Sequence, residues 1–368
     1  MGIPLMDIRA QYAPLRAQLD AEITDILDTG TFILGPRVKA IESEVSARLD
    51  NRPCVGVANG TDALVIALQA LGVGPGDEVI TTPYTFYATA EAIARHGAVP
   101  VFVDIDPDSA CIDPDLIEAK ITDKTKVIIP VHIFGHPASM TTILTTAAEN
   151  GLSVIEDAAQ AFGAADGEWA VGTMADAATL SFFPTQNFPG IGDGGMVVCR
   201  DAALGDLVRR LRFHGSEDKQ TFTEVGYNSR LDEIQAAAVR TFLPHVNDWN
   251  DRRRQVADWY RECGLGEHVT LPVEKDAARH IYHLYVIRHP ERDRIREMLV
   301  EEGIGAAAYY GIPMHLQPVF KDLGYSVGDL PVAEEWARTG LAIPMHPNLT
   351  REQVEEVVAA TGRAVSRL

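Results

Sequence analysis

The chain has 368 residues, 46% of them hydrophobic, with 52 Asp and Glu against 32 Lys and Arg and a net charge of −20. That is enough apolar residue for a large core and more than one structural unit, while the acidic balance argues against nucleic acid or an anionic membrane as a partner. Four scattered cysteines, Cys54, Cys111, Cys199 and Cys263, exclude a zinc cluster or a disulfide framework, and no apolar run approaches the ~20 residues that cross a bilayer.

The start, Met1 to Arg9, is too short and polar for a signal peptide. A cytoplasmic protein is expected, free of metal. Ala10–Asp28 then reads as a helix ending near Gly30. Through the first two thirds, short β-branched runs alternate with amphipathic stretches. The strands expected are Val55–Ala58, Glu78–Thr82, Val99–Ile105, Lys126–Phe134, Ser153–Asp157, Thr179–Phe183 and Gly195–Cys199. The helices expected between them are Asp62–Leu71, Ala88–His96, Pro114–Ile121 and Ser139–Asn150. This alternation predicts an α/β layer around a mostly parallel sheet. Several strands are apolar on both faces, as when helices cover both sides.

Arg230–Leu243 and Trp249–Cys263 read as consecutive helices broken at Pro244. The domain boundary is placed there: residues 1–243 form a large domain and 244–368 a smaller α+β domain. The smaller one is expected to hold strand His280–Arg288, helix Arg292–Glu302, strand Ala306–Tyr309 and a terminal helix Arg351–Arg367.

Candidate chemistry sits at the ends of the expected strands. Asn59-Gly60-Thr61-Asp62 joins a strand to a helix, and free N–H groups there, with the Thr61 hydroxyl, can hold an anion. The plainer reading is an ordinary capped turn. Ser181 closes another strand and can add a second hydroxyl, or simply cap the strand end. Asp157 ends an apolar run where open α/β sheets place their ligands; the alternative is an N-cap. Gln160, three residues on, can reach a ligand or complete a capping box. Phe86 can stack on a planar ring, although a lone Phe is more often core. Tyr227-Asn228-Ser229-Arg230 opens the helix before the boundary, with Asn228 or Ser229 as a plain cap.

Taken together these segments are more specific than any one of them. Asn59–Leu64, Gly74–Val79, Pro130-Val131-His132, Glu156–Gln160, Ser181–Thr185, Gly192–Gly195, Asn228–Asp232, His283-Leu284-Tyr285 and His315–Pro318 occur in one order and spacing. In this the chain resembles the DegT/DnrJ/EryC1/StrS family of pyridoxal-phosphate sugar aminotransferases, over essentially its whole length. The resemblance implies the aspartate-aminotransferase-like fold, fold type I. It also implies a homodimer with shared active sites, pyridoxal or pyridoxamine phosphate as cofactor, and glutamate and a nucleotide-linked ketosugar as substrates. By the same resemblance Gly60, Thr61 and Ser181 hold the cofactor phosphate, and Asn228 reaches it from the neighbouring subunit. Asp157 pairs with the pyridine nitrogen, Gln160 lies near the phenolic oxygen and Phe86 stacks on the ring. His315, Tyr309 and Tyr310 face the sugar or nucleotide. Local wording around Tyr227–Asp232 and Cys111-Ile112-Asp113 is similar to enzymes acting at the 3-keto rather than the 4-keto carbon.

The chain departs from the family at one place. In Ser181-Phe182-Phe183-Pro184-Thr185-Gln186-Asn187 the family carries its Schiff-base lysine where this chain has Gln186. A carboxamide nitrogen shares its lone pair with the carbonyl, so it is neither a Schiff-base nucleophile nor a useful base. Gln186 has three readings: an engineered replacement that traps a cofactor–sugar adduct, a natural divergence toward binding or regulation, or a branch with other chemistry. The first is favoured, because the remaining cofactor positions are intact. An aminotransferase scaffold in silenced form is therefore expected, with a non-catalytic cofactor- or sugar-binding paralogue as the alternative.

Overall fold

The computed structural model describes residues 2–368. Strands β1 (Cys54–Val57), β2 (Glu78–Thr81), β3 (Val99–Phe102), β4 (Thr125–Ile129) and β5 (Ser153–Asp157) precede a short hairpin of β6 (Ala165–Asp166) and β7 (Trp169–Ala170). Strands β8 (Ala177–Ser181) and β9 (Gly195–Cys199) follow. Seven of these form one sheet in the order β1-β9-β8-β5-β4-β2-β3. Its β8-β5-β4-β2-β3 portion is parallel, and β9 runs antiparallel to both its neighbours. The sequence expectation of a mostly parallel sheet is met.

The helices are α1 (Ile8–Tyr12), α2 (Arg16–Thr29), α3 (Pro36–Arg48), α4 (Gly60–Ala70), α5 (Tyr87–Arg95), α6 (Met140–Glu149) and α7 (Ala202–Leu211). After them come α8 (Glu233–Phe242), α9 (Val246–Glu262), α10 (Arg292–Glu301), α11 (Pro331–Thr339) and α12 (Arg351–Val365). Among the described residues no helix is long and apolar enough to cross a membrane.

Alternation along β5 divides the core. Val154 points into one buried cluster with Met140, Ile143 and Trp336, and Ile155 into another with Leu64, Val65 and Ile93. Since successive side chains leave a strand on opposite faces, Glu156 falls on the first side and Asp157 on the second. A further cluster joins Val256 and Tyr260 of α9 to Ile295, Leu299, Val354 and Val357, with Ile3 packed among them. The pair β11 (Tyr285–Arg288) and β12 (Gly340–Ile343) runs through it, and β10 (Ala278–Arg279) pairs with β6.

Several elements differ from the sequence pattern. The N-terminal helix is broken by a 3-10 turn, Ala13–Leu15, where Pro14 withholds a donor. Its second part ends, as expected, on Gly30 at φ 66°. Pro114–Ile121 forms two 3-10 turns instead of one helix. The expected strand Lys126–Phe134 stops at Ile129, before Pro130, and Phe134 turns left-handed at φ 57°. Ala306–Tyr309 contributes only a single bridge, Ala307 to Ala342. Helices α3, α7 and α11 and strand β12 have no counterpart in the pattern. In α3 only Val38, Ile41 and Val45 are buried, a narrow stripe among charged residues.

Candidate active site

A cavity of about 850 Å³ opens at the C-terminal ends of β5 and β8. Gly60, Thr61, Phe86, Asp157, Gln160, Ser181 and Gln186 all line it. Tyr309 and Tyr310 form its other wall. Residues expected from scattered segments of the sequence are thus brought to one place.

At one end lies the start of α4. Asn59 is its N-cap, and its Oδ1 accepts from the Asp62 N–H at 2.7 Å. The Gly60 and Thr61 N–H groups belong to the first turn, which has no partners within its own helix, and the positive helix end favours an anion there. Gly60 is required by space: a Cβ would stand 2.8 Å from Cβ of Ser181. The strand end and helix start are therefore pressed together, with the Ser181 hydroxyl beside the free N–H groups.

Asp157 ends β5 and is not the cap of a helix, because no helix follows it: residues 159 and 160 form a turn. Its backbone is clamped by Asp157 N–H to Pro130 O at 2.9 Å and by His132 N–H to Asp157 O at 3.1 Å. Its carboxylate accepts from Thr89 Oγ1 at 2.8 Å and from the Ala159 N–H at 3.3 Å. Thr85 Oγ1 lies 3.0 Å from Thr89 Oγ1. Among the described residues no cation bonds to it, and burial holds its acidity weaker than an ordinary carboxyl's. Asp157 is thus a buried acid that lacks a cation.

Gln160 does not close a capping box. Its Oε1 accepts from the Phe134 N–H at 2.8 Å and its Nε2 donates to the Tyr310 hydroxyl at 3.3 Å. Phe86, the residue before α5, is 58% exposed and faces Tyr310 with ring centroids 6.2 Å apart. A large aromatic ring so open on a cavity wall is a platform for a flat ligand.

The turn carrying Gln186 is fixed from below. The Tyr12 hydroxyl meets Pro184 O at 3.1 Å and Gly190 O at 3.0 Å, and Asn187 Nδ2 donates to Phe162 O at 2.6 Å. The Gln186 N–H donates to Phe183 O at 2.9 Å. Its side-chain Oε1 is buried with no hydrogen-bond partner among the described residues.

Two expected residues do not reach this cavity. His315 is buried and its Nε2 lies 3.1 Å from Glu334, away from the cavity wall. Asn228 is exposed and pairs with Phe213 outside the cavity of its own chain. Ser229 is not a helix cap: it accepts from the Ala58 N–H at 3.1 Å and donates to Asp62 at 2.6 Å. That bond ties the start of α4 to the segment before α8.

Sequence reasoning missed Thr89 and His283, which also line the cavity. The i, i+4 hydroxyls of Thr85 and Thr89 beside Phe86 were the available signal for the first. His283 is buried, and that burial, with Arg253 nearby, pushes its imidazole down to about 3, so it is neutral at working pH.

Comparison with known proteins places this geometry. A model of the DegT/DnrJ/EryC1/StrS aminotransferase family matches residues 14–361. A "pleiotropic regulatory protein" of Geobacillus stearothermophilus is 47% identical over 97% of both chains. A UDP-N-acetyl-3-dehydro-α-D-glucosamine 3-aminotransferase of Acidithiobacillus ferrooxidans is 45% identical, covering 99% of this chain and 98% of its own. The crystal structure of Streptomyces venezuelae DesV in complex with a ketimine intermediate superposes with a TM-score of 0.96 at 40% identity, over 100% of this chain and 99% of that one. The architecture is accordingly the fold type I architecture of those aminotransferases.

Proposed function

The chain belongs to the DegT/DnrJ/EryC1/StrS aminotransferase family, and from that premise we propose that it is a nucleotide-sugar aminotransferase scaffold with its proton-moving group replaced. Pyridoxal or pyridoxamine phosphate is its cofactor, glutamate the amino donor and a nucleotide-linked ketosugar the acceptor. The 3-keto carbon is preferred, in line with the 3-aminotransferase name of one relative.

The observation that carries this reading is Asp157: a buried carboxylate at a strand end, without a cation, in one cavity with a free helix N-terminus and an open aromatic face. These residues fit the cofactor. Gly60, Thr61 and Ser181 would hold its phosphate, Phe86 would cover its ring, Gln160 would stand at the phenolic oxygen, and Asp157 would keep the ring nitrogen protonated. When bound, the cofactor supplies an electron-withdrawing ring and an amine that passes from donor to acceptor. Tyr309 and Tyr310 would bound the sugar side, residues 1–243 forming the cofactor domain and 244–368 the smaller C-terminal domain. His315, bonded to Glu334, would stand behind that wall. Gln186 stands where the proton must move, and its carboxamide cannot move it.

The working unit is a homodimer. Phe222 and Val225 are 59% and 88% exposed on the segment that leads to Asn228, and a second copy would cover them and bring Asn228 to the phosphate. Sedimentation of the purified chain should give a dimer.

The test is Gln186→Lys, assayed with glutamate and a panel of UDP- and dTDP-linked 3-keto and 4-keto sugars. Amino transfer should appear with the variant and be near background in the parent. A second reading, a natural non-catalytic regulatory paralogue, draws on Gln186 itself and on the regulatory name of one relative. It wins if Gln186→Lys binds the cofactor yet transfers to none of the sugars.

A further inference from the structure

Replacing a lysine by a carboxamide does more than remove a base. It changes which form of a ligand the wall of the cavity welcomes. A lysine amine condenses with an aldehyde; Gln186 offers an acceptor and two donors and forms no covalent bond. Its Oε1 is buried with no donor, although the residue lines the cavity. An unmet buried acceptor is costly, and the terminal amide torsion is a soft, two-fold rotor. A half-turn presents the oxygen to any cationic N–H that arrives in the cavity. The turn beneath cannot follow, since Tyr12 and Asn187 hold it on both sides.

The charges of the wall point the same way. Asp62, Glu91, Asp157 and Asp193 line the cavity against a single arginine, Arg95. Arg95 already has Glu91 at 3.4 Å.

We propose that Gln186 makes this chain a selective receptor for the amine form of the cofactor, its carboxamide oxygen accepting from the primary ammonium of pyridoxamine phosphate. The aldehyde form presents only an acceptor at the same point, where it meets a neutral amide N–H but neither a covalent partner nor a cation, so its bond is the weaker of the two. This rests on the cofactor reading above and adds to it a direction of preference opposite to that of a lysine-bearing site. The chain would collect the aminated cofactor and hold it.

The experiment is titration calorimetry of the full-length chain with pyridoxamine phosphate and, separately, pyridoxal phosphate. One charge-assisted hydrogen bond corresponds to a preference of about tenfold or more for the amine. Gln186→Met keeps the length and removes the acceptor and both donors, and should bring the two affinities together by weakening the amine more than the aldehyde. Gln186→Glu should widen the preference. Gln186→Lys should reverse it, with the visible absorption of a Schiff base. Equal affinities in the parent, or a preference that survives Gln186→Met, overturns the proposal and leaves the cofactor reading standing. Binding of neither form by the parent overturns both.

Discussion

Behind β5, Glu156 accepts from Gly172 N–H at 2.8 Å, Met174 N–H at 3.0 Å and Ala175 N–H at 3.1 Å, and from His132 Nε2 at 3.1 Å. In front of it, Asp157 accepts only from Thr89 and Ala159. Both residues are buried, and they are neighbours in sequence. The back of the strand is complete: Ala138 N–H donates to His132 Nδ1 at 3.0 Å, so that imidazole must carry its hydrogen on Nε2 and give it to Glu156. At the front, no cation among the described residues pairs with the carboxylate. The hydrogen bonds hold the acidity of Glu156 stronger than usual although burial opposes them, whereas burial prevails for Asp157. Equal burial with unequal satisfaction separates a carboxylate whose bonds are all made within the protein from one left without an opposite charge.

The largest effect should come from the back. In Glu156→Gln an NH2 group replaces one carboxylate oxygen and faces N–H donors that it cannot accept from. Disrupting a buried charged network of this kind costs on the order of 3 kcal/mol. Denaturant titration should show the midpoint falling accordingly, with the 172–175 loop the first segment to lose hydrogen-exchange protection. A variant as stable as the parent would mean that the back of the strand is no better built than the front.

The second effect belongs to the front and to chemistry. In the Gln186→Lys background, Asp157→Asn should lower turnover on the order of 10²-fold, while calorimetry finds the cofactor still held at its phosphate. Asparagine keeps the size and loses the charge that favours a protonated ring nitrogen. Unchanged turnover would place the ring elsewhere in the cavity.

The two sides were not equally legible in the sequence. The parallel sheet was readable because β2, β4 and β5 are short apolar runs between helical stretches. The front was readable because Asn59–Asp62, Asp157, Ser181 and Gln186 sit in ordered motifs at strand ends. The back was not. Glu156 and His132 lie 24 residues apart, and their bond exists only because β4 and β5 are adjacent. Helix α3 escaped for a related reason: its three buried residues owe much of their burial to α8, far along the chain. His315 stands in a motif yet points to Glu334 rather than the cavity, because order along the chain fixes which segment is near, not which way a ring turns. Asn228 also stands in a motif, yet lies on an exposed segment outside the cavity of its own chain.

The smallest effect is the sharpest test, because it predicts opposite signs for neighbours. A carboxyl whose acidity is strengthened by folding, as for Glu156, adds stability above its unfolded value, about pH 4.3, and loses it as pH falls through the folded one. For Asp157 the sign reverses. Burial weakens its acidity, so the folded chain binds the proton more tightly than the unfolded chain does, and stability falls as pH rises from about 3.9 through the higher folded value. At neutral pH the ligand-free protein therefore carries a cost at Asp157 that asparagine removes. Ligand-free Asp157→Asn should denature at the same midpoint as the parent or a slightly higher one at pH 7, a difference within about 1 kcal/mol. The difference should shrink toward pH 4, where the parent's carboxyl regains its proton. Adding pyridoxamine phosphate should invert the order, since only the carboxylate can pair with a protonated ring nitrogen. Thermal melts of parent, Asp157→Asn and Glu156→Gln across this pH range, with and without the ligand, measure all of it. If Asp157→Asn proves as damaging to the ligand-free fold as Glu156→Gln, then Asp157 is a structural group like its neighbour, and the front of β5 was never short of a cation.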